Sequence, residues 1–209
     1  DEGRRNRFKE RAGVRVYADW KKMLEEENLD IVSVATYAPS HAEISIGCAQ
    51  AGVRGVYCEK PIANRVSDAD DMLITCEQNG THLVINHNRR YNPNGKATQE
   101  RIASGDLGDL TSVNLQWATG RTGGVGTHII DAMCMYLGQR VAAVSGTMDL
   151  AGKPDCRGPE FKDYGTWGVL RMDSGLMVTV DAADYSVLPA QISINGTKGR
   201  AITAGDDVE

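Results

Sequence analysis

Residues 30–63, DIVSVATYAPSHAEISIGCAQAGVRGVYCEKPIA, decide the fold. They open with an apolar, β-branched run at 31–36, which is typical of a strand buried on both faces of a parallel sheet. A helical pattern follows, with Ser40 as its predicted N-cap and Gly52 as its stop signal. A second strand pattern, RGVYCE, comes next. Because a helix joins the two strands, the segment predicts a βαβ unit with parallel strands.

The same alternation of strand and helix patterns extends on both sides of this segment. Before it lie a helical pattern at 2–12, a short strand pattern at 14–17 and a second helical pattern that Asp19 is expected to cap. After it lie a helical pattern at 67–80 and the strand pattern HLVINH at 82–87. Strands that alternate with helices predict an α/β domain built around a parallel sheet.

The character of the chain changes near Tyr91. A helical pattern and a turn lead into the strand pattern TSVNLQWA, and a helix with an apolar stripe follows at 126–137. Four further strand patterns come after it, and a hairpin signal, Asp173-Ser174-Gly175, separates two of them. We therefore predict two domains, an α/β domain at 1–91 and an α+β domain with a mostly antiparallel sheet at 92–209.

Composition and charge argue against several classes of function. The net charge of -5 argues against nucleic acid and membrane as partners. No apolar run is long enough to span a bilayer. Neither C-x-x-C nor H-E-x-x-H occurs, so no metal site is predicted. The five cysteines are odd in number and several lie in apolar surroundings, which predicts reduced, buried thiols in a cytoplasmic protein.

Polar residues follow three predicted strands at their carboxyl ends, in ATYAPSH, CEKPIAN and NHNRRYNP. Ligands of doubly wound α/β sheets bind beyond these ends. Lys60 is the strongest candidate, because a lysine between Glu59 and a φ-restricting proline is held in place and can polarise a hydroxyl or carbonyl oxygen. The alternative is a strand-terminal lysine that points into water and pairs weakly with Glu59.

His128 is the second candidate. At helical spacing it lies with Asp131 roughly opposite the apolar stripe, so it faces either solvent or a cleft. In a cleft, a histidine is suited to act as a general base that accepts a hydroxyl proton. The alternative is an exposed surface histidine. His41 follows another strand, where it either contacts a ligand or merely begins a helix.

Together these motifs resemble those of the Gfo/Idh/MocA oxidoreductases, the family of glucose-fructose oxidoreductase and inositol dehydrogenase. The resemblance rests on residues 30–52, GVYCEKPIA, LVINHNRRYNP and GTHIIDAMCMYLG, and it covers nearly the whole chain. It implies a Rossmann-type first domain that binds NAD or NADP, and a second domain whose open sheet carries the substrate site and the contact of a homo-oligomer. The implied chemistry is hydride transfer between the cofactor and a sugar, cyclitol or related polyol.

The resemblance also assigns roles to single residues. Lys60 and His128 match catalytic residues of the family, with His128 as the base and Lys60 orienting or polarising the oxygen. The positions that match cofactor-binding residues are Thr36, Pro39, His41, Glu59, Lys60 and Arg89. The expected substrate-binding residues are Lys60, Trp117, Arg121, His128 and Asp131.

Three features depart from the family pattern. The chain contains no G-x-G-x-x-G, so we expect a fragment that binds dinucleotide weakly or not at all. Gly124 stands where many members carry an aspartate, four residues before the catalytic histidine, and the ATGRTGGVG loop is shorter than in many members. Two alternatives therefore stay open: a glycoside-processing enzyme that uses bound NAD transiently, and a non-catalytic sensor or regulatory protein.

Overall fold

The computed structural model describes residues 1–118, 120–151, 161–183, 189–204 and 207–208. Contacts divide the chain into two compact units, Asp1–Asn86 and His87–Glu209. The sequence placed this change near Tyr91. The contacts place it earlier because the 3₁₀ turn Asn88–Tyr91 packs against helices of the second unit.

A three-stranded parallel sheet forms the centre of the first unit. Its strands are β1 (Ile31–Val34), β2 (Gly55–Glu59) and β3 (His82–Asn86), in the order β1-β2-β3. Its helices are α1 (Glu2–Ala12), α2 (Trp20–Glu26), α3 (His41–Gln50) and α4 (Val66–Gln78). Helix α3 connects β1 to β2, and α4 connects β2 to β3. This connectivity confirms the predicted βαβ units.

One face of this sheet carries the core of the first unit. Val34 of β1 and Cys58 of β2 are buried in one cluster with Met72 of α4. Ile31, which points to the opposite face, is 71% exposed, because successive side chains of a strand alternate between faces. The prediction that 31–36 is buried on both faces is therefore wrong. Within this chain, the strand alternates buried and exposed residues.

The segment at 14–17, predicted as a strand, connects α1 to α2 without strand structure. Its side chains bind the end of α2 instead. Arg15 Nη2 lies 2.7 Å from Glu27 Oε1, and the Tyr17 hydroxyl donates a hydrogen bond to the same oxygen at 2.7 Å. Asp19 caps α2 as predicted, since its side chain accepts a hydrogen bond from the Lys21 backbone N–H at 2.9 Å.

The cysteines that the structure describes form no disulfide. They are Cys48, Cys58, Cys76 and Cys134, and the first three are buried. Burial raises the pKa of the Cys48 and Cys58 thiols to about 11. Cys156 lies outside the described residues. Across the described ranges, no helix has the length and apolar character needed to cross a membrane.

A seven-stranded sheet forms the centre of the second unit, in the order β10-β9-β8-β4-β7-β6-β5. The strands are β4 (Leu110–Gln116), β5 (Val141–Met148), β6 (Thr166–Met172), β7 (Met177–Ala182), β8 (Gln191–Gly196), β9 (Arg200–Ala204) and β10 (Asp207–Val208). All neighbouring strands are antiparallel except β4 and β7. The mostly antiparallel sheet and the hairpin between β6 and β7 were both predicted.

Two helices accompany this sheet, α5 (Pro93–Ala103) and α6 (Thr127–Leu137). Ile129 and Met133 of α6 are fully buried in one cluster with Leu115 of β4 and Ile194 of β8. These contacts hold α6 on the sheet. They thereby fix the helix whose first turn carries His128.

We predict that Ile194→Ala destabilises the full-length protein by about 2–5 kcal/mol, because it leaves a cavity beneath α6. Ile194 has 0% exposure in the centre of the core. Urea unfolding measures the change in free energy. Ser193→Ala is the matched control, since Ser193 is the neighbouring, half-buried residue of β8 on the opposite face. Equal stability of the Ile194 variant and the control would contradict the described core.

Candidate functional site

The carboxyl ends of β1, β2 and β3 meet at one edge of the parallel sheet. Val34 is paired with Cys58, and Cys58 with Ile85, so the three strands end side by side. Thr36 follows the first strand and Lys60 follows the second. This edge is where α/β sheets bind their ligands.

A hydrogen-bonded chain of side chains connects the ends of β2 and β3. The Tyr57 hydroxyl donates to Asn86 Oδ1 at 2.6 Å, and Asn86 Nδ2 donates to Glu59 Oε1 at 2.7 Å. Glu59 Oε2 in turn accepts a hydrogen bond from the Lys60 backbone N–H at 3.3 Å. The Glu59 carboxylate thus fixes the backbone from which the Lys60 side chain extends. Glu59 therefore contacts the main chain of Lys60.

Sequence analysis did not single out Asn86, although a signal for it was present. Glu59 is the last residue of one predicted strand, and Asn86 is the next-to-last residue of the neighbouring predicted strand. The structure pairs them directly in the parallel register. Two polar residues that end adjacent parallel strands are expected to lie side by side.

His41 links the loop after β1 to the loop after β2. Its ring is fully buried, with Nδ1 2.8 Å from the Pro61 carbonyl oxygen and Nε2 3.0 Å from the Thr36 carbonyl oxygen. Both ring nitrogens therefore contact backbone at the edge of the sheet. The expected direct contact of His41 with a cofactor stays a prediction, and the contacts that the structure describes hold the two loops together.

The remaining predicted cofactor-binding residues lie on turns. Thr36 and Pro39 belong to the connection from β1 to α3, where Ser40 Oγ lies 2.8 Å from Thr36 Oγ1 and 2.9 Å from the Tyr37 carbonyl oxygen. The Ser40 hydroxyl therefore organises this turn in place of capping α3. Arg89 is half-buried in the 3₁₀ turn Asn88–Tyr91 and belongs to the second unit.

A π-helical turn, Thr122–Gly126, leads directly into α6. The backbone N–H groups of Gly123 and Gly124 each donate a hydrogen bond of 2.7 Å to the Asp163 carboxylate. A Cβ atom at Gly124 would lie 3.0 Å from Asp163 Oδ2 and 3.0 Å from Arg121 Nη2. The space beside Gly124 is therefore filled by side chains from elsewhere in the chain, and a carboxylate is present there after all. No local sequence signal identified Asp163, which lies 39 residues away.

Trp117 and Arg121 flank the start of this turn. Trp117 is 1% exposed, its Nε1–H donates to the Gly120 carbonyl oxygen at 2.7 Å, and its ring packs against Gly126. The structure therefore places this predicted substrate-binding residue in the core under the turn. Arg121 is half-buried and has a left-handed backbone with φ of 55°. Such a conformation is costly for a residue with a side chain and is found at functional turns.

His128 is half-buried on the first turn of α6 and has an aromatic neighbour. The ring of His87 lies edge-on to it, with 5.8 Å between ring centroids and an interplanar angle of 90°. His87 Nδ1 in turn lies 3.8 Å from Asp131 Oδ2, and the two side chains are only 18% and 16% exposed. The structure thus brings His87, His128 and Asp131 together within the second unit. Sequence analysis treated His87 only as a residue at a strand end.

A bidentate contact with Arg90 fixes Asp131. Arg90 Nε donates to both carboxylate oxygens at 3.0 and 2.9 Å, and Arg90 Nη2 donates to Oδ1 at 2.7 Å. The hydrogen bond to Asp131 raises the pKa of Arg90, so this guanidinium stays charged. The predicted pairing of His128 and Asp131 on one face of α6 is therefore part of a four-residue arrangement with Arg90 and His87.

The arrangement in the second unit is suited to moving a proton. Among the residues that the structure describes, no group of three or more His, Cys, Asp or Glu side chains has the spacing of a metal site. An imidazole near a second imidazole and a fixed carboxylate can accept a proton from a bound hydroxyl group.

Comparisons with known proteins identify both units. Residues 1–87 match the model of an oxidoreductase family with an NAD-binding Rossmann fold, and residues 96–202 match the GFO/IDH/MocA C-terminal domain. The first is the unit with the parallel sheet, and the second contains α6 and most of the seven-stranded sheet. The two matches confirm the resemblance seen in the sequence.

Among curated proteins, D-apiose dehydrogenase from Paraburkholderia graminis is 39% identical over 94 residues, covering 45% of this chain and 25% of that protein. Myo-inositol 2-dehydrogenase from Thermotoga maritima is 33% identical over 108 residues, covering 51% of this chain and 32% of that protein. The chain thus spans about a quarter to a third of these two relatives.

Among solved structures, a probable dehydrogenase from Thermotoga maritima matches with a TM-score of 0.81 at 25% identity. The matched region covers 98% of this chain and 66% of the dehydrogenase. The WlbA dehydrogenase from Bordetella pertussis, solved with NADH and UDP-GlcNAcA, has a TM-score of 0.88 at 21% identity, with coverage of 100% and 66%. At 21% identity, the match to the WlbA dehydrogenase shows that the two chains share a fold. From its family models and its fold, the chain belongs to the Gfo/Idh/MocA family of oxidoreductases.

Proposed function

We propose that the whole protein is an NAD- or NADP-dependent oxidoreductase that transfers a hydride between the cofactor and a CH–OH group of a sugar, cyclitol or related polyol. The observation that carries the proposal is the half-buried His128 beside His87 and Asp131 in a chain of an NAD-binding family. The names of the two curated relatives, an apiose and an inositol dehydrogenase, support a polyhydroxylated substrate.

The polar edge of the first unit fits the ribose and nicotinamide end of a dinucleotide. Thr36 offers a hydroxyl group, Glu59 a carboxylate held by Asn86, and Lys60 an ammonium group. These are the groups that recognise sugar hydroxyls. The 209 residues contain no G-x-G-x-x-G to bind the pyrophosphate. The residues that we propose to hold the cofactor are Thr36, Pro39, Glu59, Lys60 and Arg89, with His41 acting through the carbonyl groups that it binds.

The proposed reaction removes a proton and a hydride from one carbinol group. His128 accepts the hydroxyl proton as the O–H bond breaks and an N–H bond forms. Lys60 is assigned the role of orienting or polarising the substrate oxygen. When bound, the cofactor supplies the nicotinamide that takes the electron pair of the C–H bond as hydride. The protein contributes position and electrostatics.

The polyol itself is proposed to contact the turn before α6. Arg121 and Asp131 carry the charged groups that recognise hydroxyls, and Trp117 supports the turn from below through its contact with Gly126. The exchange of a family aspartate for Gly124 is compatible with this role, because Asp163 supplies a carboxylate at the same turn.

We further propose a cytoplasmic homo-oligomer that binds neither nucleic acid nor membrane. The disulfide-free cysteines among the described residues support a reducing compartment, and the net charge of -5 argues against polyanionic partners. Strand β5 at one edge of the seven-stranded sheet is mostly exposed, which supports contact with a second copy. Analytical ultracentrifugation of the full-length protein reports the oligomeric state.

We predict that Lys60→Ala and His128→Ala each lower kcat of the full-length enzyme by about 10²–10⁴-fold, measured as NAD(P) reduction with a panel of sugars and polyols. Exposed residues of the same types provide matched controls. These are Lys96→Ala on α5 and His82→Ala at the amino end of β3, both of which should leave the rate unchanged.

The outcomes separate the proposed function from its alternatives. An active enzyme whose rate is unaffected by both substitutions would show that the assigned residues are wrong. Consumption of a glycoside at constant NADH absorbance indicates a glycoside-processing enzyme instead. Absence of any turnover over the whole panel, with dinucleotide bound, indicates a sensor or regulatory protein.

We predict that Asn86→Ala lowers kcat/KM by about tenfold, because it releases the Glu59 carboxylate that fixes the Lys60 backbone. The control is Asn88→Ala, an exposed asparagine two residues along the chain. Steady-state kinetics of both variants provide the measurement. Equal kcat/KM values for the two variants would show that the hydrogen-bonded chain does not position Lys60.

A further inference from the structure

We propose that His87 is a positioning residue for His128, and that the two imidazoles titrate as one coupled pair in which His87 carries the first proton. This inference rests on the proposed role of His128 as the base. It assigns a role to a residue that the sequence analysis left without one. The consequence is that His128 remains neutral, and able to accept a hydroxyl proton, at a pH where an isolated histidine would already be charged.

The coupling follows from the distance between the rings. Their centroids are 5.8 Å apart and the rings are perpendicular. Two positive charges at this separation repel each other when the intervening medium is protein and not water. A proton on either ring therefore disfavours a proton on the other, and the pair takes up its two protons in two separate steps.

The position of Asp131 decides which ring is charged first. Its Oδ2 lies 3.8 Å from His87 Nδ1, and both side chains are largely buried. The bidentate contact with Arg90 prevents the carboxylate from turning away. A fixed anion within ion-pair distance favours the charged form of His87.

Among the described residues, the groups that interact with Asp131 or Arg90 include Cys134 of α6 and Tyr91 of the turn Asn88–Tyr91. Arg90 opposes a positive charge on His87, but its guanidinium is bound to both oxygens of Asp131. Cys134 interacts with Asp131 and Arg90, and burial raises the pKa of its thiol, which stays neutral. Tyr91 interacts with Arg90 and is exposed.

The coupling also helps to reset the base. After His128 has accepted the hydroxyl proton and the hydride has left with the cofactor, the pair holds two protons. Repulsion between the two imidazolium rings then favours release of one proton to solvent. His128 returns to its neutral form, so the base is regenerated and the charges balance.

The test uses the full-length protein and two readouts. One is the titration of each imidazole by NMR, which does not depend on activity, and the other is the pH dependence of kcat/KM for NAD(P) reduction. His87→Phe keeps a ring in the edge contact but cannot carry a proton. His82→Phe makes the same change at the exposed residue that begins β3 and serves as the matched control.

We expect His87→Phe to move the titration midpoint of His128, and the acid limb of the pH–rate profile, to higher pH by about one unit. The control should move neither. An unchanged His128 midpoint in a folded His87→Phe protein would overturn the proposal, because a purely structural role of His87 leaves the titration of His128 in place.

Asp131→Asn is the second variant. Its result tests the proposal even if the His87→Phe protein does not fold. Loss of the anion is expected to lower the titration midpoint of His87, and an unchanged midpoint would overturn the proposal. If none of the tested polyols supports reduction of NAD(P) by the wild-type enzyme, the proposed function is wrong. The NMR titrations still decide whether the histidine pair is coupled.

Discussion

The bidentate contact between Arg90 and Asp131 is the interaction on which the candidate site depends. It joins the turn that follows β3 to the first turns of α6. Because Asp131 is largely buried, removal of Arg90 would leave this carboxylate without its bidentate partner, which is unfavourable. The same contact holds the carboxylate near His87, and His87 lies against His128. One ion pair therefore determines the surroundings of the proposed base.

The first unit uses the same physical principle through hydrogen bonds. The loops at the edge of its parallel sheet are held by His41, whose two ring nitrogens contact two different loops, and by Asn86, which holds Glu59. Buried side chains thus fix backbone, and the backbone carries Lys60. In both units, a polar residue with no proposed role in the reaction restricts the position of the residue that is proposed to take part in it.

Patterns that repeat along the chain could be read from the sequence, and contacts between distant residues could not. The alternation of strands and helices gave the βαβ units and the mostly antiparallel second sheet. The strand predicted at 14–17 is wrong for the described chain, because the side chains of Arg15 and Tyr17 bind Glu27 at the end of α2. Burial of β1 on both faces was overestimated because a run of apolar residues does not show which face of a strand is covered by helices. Asp163 was missed because it reaches Gly124 from 39 residues away.

In the proposed reaction, a hydride moves directly from a carbinol carbon to the nicotinamide. The most direct test of this transfer is incubation of the full-length enzyme with NAD(P) and a polyol, such as myo-inositol, that carries deuterium on its carbinol carbons. Mass spectrometry of the recovered cofactor then reports where the label has gone. One deuterium atom in each reduced nicotinamide is the predicted result. Turnover of the substrate with an unlabelled cofactor and deuterium released to water would contradict the account.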